Sequence, residues 1–315
     1  MKILDIDKLE DIAKNVRRNI IEEVYSANSG HPGSSLSCVE ILTTLYFNQM
    51  NIDPENPRME NRDKLVLSKG HASPALYSVL AQRGYFEIEE LKEFRKLGSR
   101  LQGHPDVKKL PGVDMSAGSL GQGLSSACGM AIANKLKKNN DRVYCILGDG
   151  EIEEGQIWEA VMTASHYKLD NLCVIVDNNN LQIDGKIEDV LNPYPIDKKF
   201  ESFGFEVFKC DGHSINELIS TLDKAKEIKN KPSVIIAKTV KGKGISYMED
   251  KAEWHGKAPN EEEYNKAINE LLWKIIAFWR CCSSKENPHR TQSTPPVFLF
   301  WTPSQIHNFF TNYNI

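Results

Sequence analysis

From Ile6 to Val24 the apolar side chains Leu9, Ile12, Ala13, Val16 and Ile20 return at three- and four-residue spacing. That period predicts an amphipathic helix ending near Ser26-Ala27-Asn28. The polar loop NSGHPGSS follows, and a second apolar-periodic stretch from Leu36 to Phe47 predicts another helix. Lys64–Ser68 reads as a short buried strand and 72–82 as a helix, after which Gly and Pro dominate from Gly98 to Gly123. The period then switches repeatedly: helix Gly123–Lys137, strand Val143–Leu147, helix Ile157–Tyr167, strand Leu172–Asp177. Two β-branched runs separated by a helix predict a βαβ unit and a parallel sheet. Strands at 205–209 and 233–238, around a helix at 215–228, continue the rhythm. The expected class is α/β, a parallel sheet flanked by helices on both faces.

The pattern breaks near residue 271. From Leu272 to Ile315 lie three of the five tryptophans (Trp273, Trp279, Trp301), the Cys281-Cys282 pair and a single acidic residue, Glu286. The expected division is therefore a domain at 1–271 and an atypical tail at 272–315. Two readings of the tail stand open: an accessory segment packing its aromatics on a partner, or a coding sequence running past its usual end through a frameshift. The second is favoured, because local pattern and global fold usually agree in evolved chains.

Composition narrows the function classes. With 315 residues, 40% apolar and 26% charged, the chain can bury a full core and is not of the disordered type. A net charge of −4 gives no whole-chain attraction to nucleic acid or anionic membrane. Seven scattered cysteines without a CxxC pair argue against a disulfide framework or zinc site and for a reducing cytoplasm. The N-terminus alternates charged and apolar residues, so neither a signal peptide nor a membrane span is expected.

The chemistry concentrates where strands end. Gly148-Asp149-Gly150 directly follows one expected strand and Asp177-Asn178-Asn179-Asn180 the next. Open α/β sheets place ligands at the carboxyl ends of neighbouring strands. Glycines beside Asp149 let backbone approach a diphosphate, and the following helix points its N-terminus at the anion. A carboxylate, an amide oxygen and a nearby main-chain carbonyl are hard ligands suited to Mg²⁺ or Ca²⁺, with the diphosphate completing the shell. His31, His71, His104 and His255 sit in Gly- or Pro-flanked loops, where imidazoles can move protons at sugar hydroxyl and carbonyl groups near neutral pH.

These stretches resemble the thiamine-diphosphate enzymes, and transketolases in particular. The matching segments are NSGHPG (28–33), SKGHAS (68–73), QGHPD (102–106), AGSLGQG (117–123), GDGEIEEGQIWEA (148–160), VDNNNLQIDG (176–185), KTVKGKG (238–244) and EWHG (253–256), in the family's order over residues 5 to about 271. The resemblance implies the thiamine-diphosphate-binding fold, with thiamine diphosphate and a divalent metal as cofactors. Asp149, Asn179 and the main-chain oxygen of Leu181 are the implied metal ligands. Gly148, Gly150 and Ile183 are implied at the cofactor, and Gly118 and Leu120 along its aminopyrimidine and thiazolium. His71 and His255 would reach the diphosphate end or the substrate channel, and His31 and His104 the donor ketose. Glu154 and Glu159 are similar to glutamates near the subunit contact that connect two cofactor sites. The implied reaction moves a two-carbon ketol unit between sugar phosphates in the pentose phosphate pathway.

In the family a second, pyrimidine-binding domain supplies a further glutamate and the substrate-phosphate groups. This sequence therefore resembles the N-terminal subunit of a split enzyme, expected to form an α₂β₂ assembly with a C-terminal subunit. Two alternatives stand beside that reading. One is another thiamine-diphosphate subunit, deoxyxylulose-phosphate-synthase-like or pyruvate-dehydrogenase-alpha-like; the other is a non-catalytic homologue. Thr239–Pro259, with Gly242, Gly244 and Gly256, is expected to form a lid over the diphosphate.

Overall fold

A computed structural model describes residues 5–272; the tail at 273–315 lies outside the described residues, and both readings of it stand where the sequence left them. The elements run α1 (Ile6–Ser26), α2 (Pro32–Leu36), α3 (Val39–Thr44), β1 (Lys64–Leu67), α4 (Ser73–Arg83), α5 (Gln122–Lys137), β2 (Val143–Gly148), α6 (Gly155–His166), β3 (Leu172–Asn178), β4 (Leu181–Gln182), β5 (Gly185–Lys186), α7 (Ile187–Val190), α8 (Ile196–Ser202), β6 (Glu206–Asp211), α9 (Ile215–Glu227) and β7 (Ser233–Lys238). The expected helix over 36–47 is instead divided. α2 ends at Leu36, α3 occupies 39–44, and a π-helical turn follows at Leu45–Gln49. Ser34, Ser35 and Ser37 are buried, and the Ser35 and Ser37 hydroxyls donate back to the main-chain oxygens of His31 and Ser34, a competition that interrupts helices.

All five long strands are parallel, in the order β1-β2-β3-β7-β6. β3, LCVIVDN, is buried throughout, as a parallel strand covered on both faces must be. Alternate side chains enter two separate cores. Leu65, Tyr144, Ile146, Cys173, Ile175 and Ile235 pack with α1, α3, α4 and α9 on one face; Val66, Cys145, Leu147, Val174, Val176 and Val234 pack with α5, α6 and α8 on the other. The chain leaves β1 for α4 on the first face and β2 for α6 on the second, so a crevice opens between the two strand ends.

One glycine sets how tightly that crevice closes. A Cβ on Gly123, in the first turn of α5, would lie 2.3 Å from Ser68 Oγ and 2.8 Å from Ser68 Cα. Gly123→Ala is expected to lower the unfolding free energy by about 1–3 kcal/mol through overpacking. The check is a lower urea midpoint at unchanged slope.

Candidate functional site

Strand ends bring the sequence-expected residues together. Asp149, one residue past β2, is 2% exposed. Its Oδ1 accepts the Gly150 N–H (2.9 Å) and its Oδ2 the Asn180 N–H (2.6 Å). Asn179 Oδ1 accepts the Leu181 N–H at 3.1 Å, fixing the turn that presents the Leu181 carbonyl. Asn178 is tied elsewhere, its amide donating to Asn180 Oδ1 and Tyr194 Oη at 2.8 Å each, which leaves Asn179 as the member of the turn available to a ligand. Asn180 takes φ +65°, a left-handed conformation that asparagine tolerates.

Electrostatics around Asp149 fit a bound cation. Burial pushes its carboxyl up to about 7, and the neighbouring Asp177 charge adds to the rise. Lys241, itself 1% exposed, supplies the nearest fixed cation: its Nζ donates to the Leu181 carbonyl at 3.3 Å and lies 2.9 Å from His255 Nδ1. Burial lowers that ammonium to about 8. A carboxylate short of positive charge, an amide oxygen and a carbonyl already attracting an ammonium form a donor set for a hard divalent ion. Among the described residues no three His, Cys, Asp or Glu side chains cluster to hold a metal, so an ion here needs the Asn179 and Leu181 oxygens and a ligand's phosphates.

Beneath Asp149 lies a buried ion pair that the sequence did not reveal. Lys69 Nζ contacts Asp177 Oδ2 and donates to the Ser34 carbonyl at 2.7 Å, while Ser37 Oγ donates to Asp177 Oδ2 at 2.6 Å and Thr239 Oγ1 to Oδ1. Burial opposes both charges, yet their mutual attraction leaves Lys69 raised and Asp177 lowered. Glu151 is a second hidden member. Its Oε1 accepts the Gly121 N–H at 3.0 Å and the Ser68 hydroxyl, and its Oε2 the Gly148 N–H at 3.0 Å, joining the loop after β1, the start of α5 and the end of β2. SKGHAS, GDGEIEEG and KTVKGKG were visible as motifs, but a lysine or a third glutamate reads by default as solvated.

His31, His71 and His255 form a triangle with ring centroids 5.0–5.4 Å apart. Burial lowers His31 to about 4, His255 to about 3 and His71 well below its ordinary value, with the Lys69, Lys241 and Arg95 charges contributing. All three are neutral at pH 7 and can both donate and accept at a hydroxyl. His104 stands against Gly118, whose Cβ would come within 3.2 Å of the ring. Gly118 in turn lies on Gly70, where a Cβ would meet the Gly118 nitrogen at 2.8 Å. Leu120 and Ile183 are exposed, 36% and 64%, so this chain alone does not enclose them. Glu154 precedes α6 and Glu159 lies within its first turns, both exposed.

The expected lid is a packed wall. Ile245, Met248 and Trp254 are buried in the first core, Gly242 N–H donates to the Gly33 carbonyl at 3.0 Å, and Arg17 Nε to the Lys243 carbonyl at 3.0 Å. The segment holds Lys241 and His255 at the site. His213, outside the expected site, ties this wall to α3: it accepts the Val240 N–H on Nε2 at 2.8 Å and turns Nδ1 to Glu40 at 2.9 Å. No described helix is long and apolar enough to cross a membrane.

A crevice at parallel strand ends, with oxygen donors suited to a hard cation and edged by buried imidazoles, fits a thiamine-diphosphate-binding domain. The family profile described as transketolase, thiamine diphosphate binding domain, matches residues 9–280, and the chain belongs to that family. It is 45% identical over 271 residues to a subunit of the apulose-4-phosphate transketolase from Actinobacillus succinogenes, covering 85% of this chain and 97% of that one. It is 44% identical over 263 residues to the 6-deoxy-6-sulfo-D-fructose transketolase subunit of a Clostridium species, covering 84% and 96%. Homo sapiens transketolase is 43% identical over 274 residues, which is 86% of this chain and 43% of that protein. Among solved structures, transketolase from Campylobacter jejuni superposes with a TM-score of 0.80 at 38% identity, covering 85% of this chain and 43% of that one. The chain thus spans less than half the length of these last two proteins and nearly all of the relatives named as subunits.

Proposed function

We propose that this chain is the diphosphate-binding subunit of a two-subunit transketolase. It would act with a second subunit carrying the pyrimidine-binding domain, in an α₂β₂ assembly in the cytoplasm, on sugar phosphates of the pentose phosphate type. The observation that carries the reading is the convergence of Asp149, Asn179 and the Leu181 carbonyl beside the His31–His71–His255 triangle. Near-complete coverage of relatives named as subunits supports the divided organisation.

In this reading Asp149, Asn179 and the Leu181 carbonyl would hold Mg²⁺ or Ca²⁺, and Lys241, His71 and the Gly150 amide would bind the diphosphate. Thiamine diphosphate, when bound, supplies the electron sink that makes the bond beside a ketose carbonyl cleavable. The protein's part is placement and proton movement. His31 and His104 bind the donor's carbonyl and first hydroxyls; His255, held by Lys241, exchanges a proton with a sugar hydroxyl. Glu154 and Glu159 would lie at the subunit contact.

The test is ketol transfer from xylulose 5-phosphate to ribose 5-phosphate with thiamine diphosphate and Mg²⁺, for the chain alone and with its cognate second subunit. Ketol transfer only in the mixture is expected. An inactive mixture, with the subunits shown to associate and other ketose donors also inert, would overturn the reading.

A further inference from the structure

Arg95 occupies an unusual position beside the histidines. It has φ +60°, costly for a residue with a long side chain, and its buried Nε–H has no partner. Such conformations persist where surroundings over-determine them, which is common at functional sites. Its contacts join two loops. The Arg95 main-chain N–H donates to the Leu101 carbonyl at 2.9 Å, and Nη1 donates to Ser29 Oγ at 2.6 Å, two residues before His31. Gly103, next to His104, faces the guanidinium so closely that a Cβ there would lie 2.8 Å from Nε. Phe94 packs beneath: its ring lies 5.4 Å from the Arg95 guanidinium carbon, and a Cβ on Gly30 would meet it at 3.3 Å. The 101–104 loop is anchored from its other side, by Tyr77 Oη to the Gln102 carbonyl and Ser73 Oγ to the Gly103 carbonyl, each 2.8 Å.

We propose that Arg95 is a positioning residue for the donor sugar: it clamps the 28–31 loop to the 101–104 loop and so sets the separation of His31 and His104. This rests on the functional reading above and adds to it a residue outside the expected site. The groups facing the two imidazoles are Arg95, Lys241, His71 and His255 around His31, and Arg95 with His31 around His104. Burial and then Arg95 lower His104; burial, Arg95, His104 and Lys241 lower His31. Removing the guanidinium charge therefore raises both imidazoles, so protonation begins at higher pH and the acid limb of activity moves upward.

The experiment compares wild type, Arg95→Met, Arg95→Lys and Gly103→Ala in the full chain with its cognate second subunit. Replacing the guanidinium in Arg95→Met is expected to raise the donor KM about tenfold or more, because small displacements of orienting groups have large kinetic effects. Thiamine diphosphate affinity, read by calorimetry, should stay within about twofold, since Arg95 touches none of the diphosphate groups. Arg95→Lys should recover part of the loss, and Gly103→Ala, by displacing the guanidinium, should reproduce its direction. NMR titration of the histidine ring protons should show upward movement in Arg95→Met. An unchanged donor KM, or a parallel loss of cofactor affinity marking general loosening, overturns the proposal. Should Arg95→Met not fold, an unchanged donor KM in both other variants overturns it equally. A wild-type mixture without ketol transfer refutes the functional reading instead, and the ring-proton titration still decides whether Arg95 acts on His31 and His104.

Discussion

Asp149→Asn is expected to weaken metal-dependent thiamine diphosphate binding at least about 100-fold, since even groups one bond removed from a metal ligand cost 10–100-fold. Calorimetric titration of thiamine diphosphate with Mg²⁺ measures this, and ketol transfer in the mixture should vanish with it. In the isolated chain the same change gives up one of the two main-chain N–H bonds that the carboxylate accepts, but it should also abolish a loss of stability that the wild type suffers as pH rises. Burial and Asp177 push the Asp149 carboxyl up to about 7, so the folded state resists its ionisation. For an acid raised in the folded state, stability declines as pH climbs above the unfolded value and levels off past the folded one. A neutral amide removes that penalty. A thermal midpoint of Asp149→Asn that falls between pH 5 and 8 as steeply as the wild type's would show that Asp149 is not the group responsible.

Lys69→Met should have the opposite signature. Asp177 would remain at 0% exposure with its counter-ion gone, and breaking a buried pair from one side costs about 3–5 kcal/mol. That is a large share of the roughly 5–15 kcal/mol that holds an ordinary domain together. Chemical denaturation should show a strongly lowered midpoint. Adding Asp177→Asn to Lys69→Met removes the stranded charge; the amide oxygen keeps one of the Ser37 and Thr239 hydroxyls as a donor and its NH2 can donate to the other, so the double variant should regain much of the loss. A double variant no better than Lys69→Met would show that lost packing, not the stranded charge, sets the cost.

The two predictions separate residues whose legibility in the sequence differed. Asp149 and Asn179 were legible because each follows a strand that its own residues declare: VYCIL and LCVIV are long β-branched runs bounded by turn residues. A carboxylate placed between glycines at such a point has few other uses. Lys69 and Asp177 were not legible as a pair, because they lie 108 residues apart and meet only when β1, β2 and β3 are stacked. Arg95 was missed for the same reason. Its contacts reach back 66 residues to Ser29, and nothing around FRKLGS marks an arginine as buried. The single helix expected over 36–47 failed for a nearer cause: buried serine hydroxyls competed for the main chain and split it.

By itself, then, the sequence determined most of the strands and helices along the chain, the parallel sheet, and the two turns where the cofactor chemistry is proposed, because each depends on hydrophobic period and turn residues within a few positions. Tertiary structure alone decided which distant polar groups share the crevice. It stacked Lys69 on Asp177, set Lys241 at the Leu181 carbonyl, gathered the histidine triangle and turned the expected lid into a fixed wall. The physical reason is that burying a charge is tolerable only beside its partner. Which partner is at hand depends on how strands and loops far apart in the chain come together.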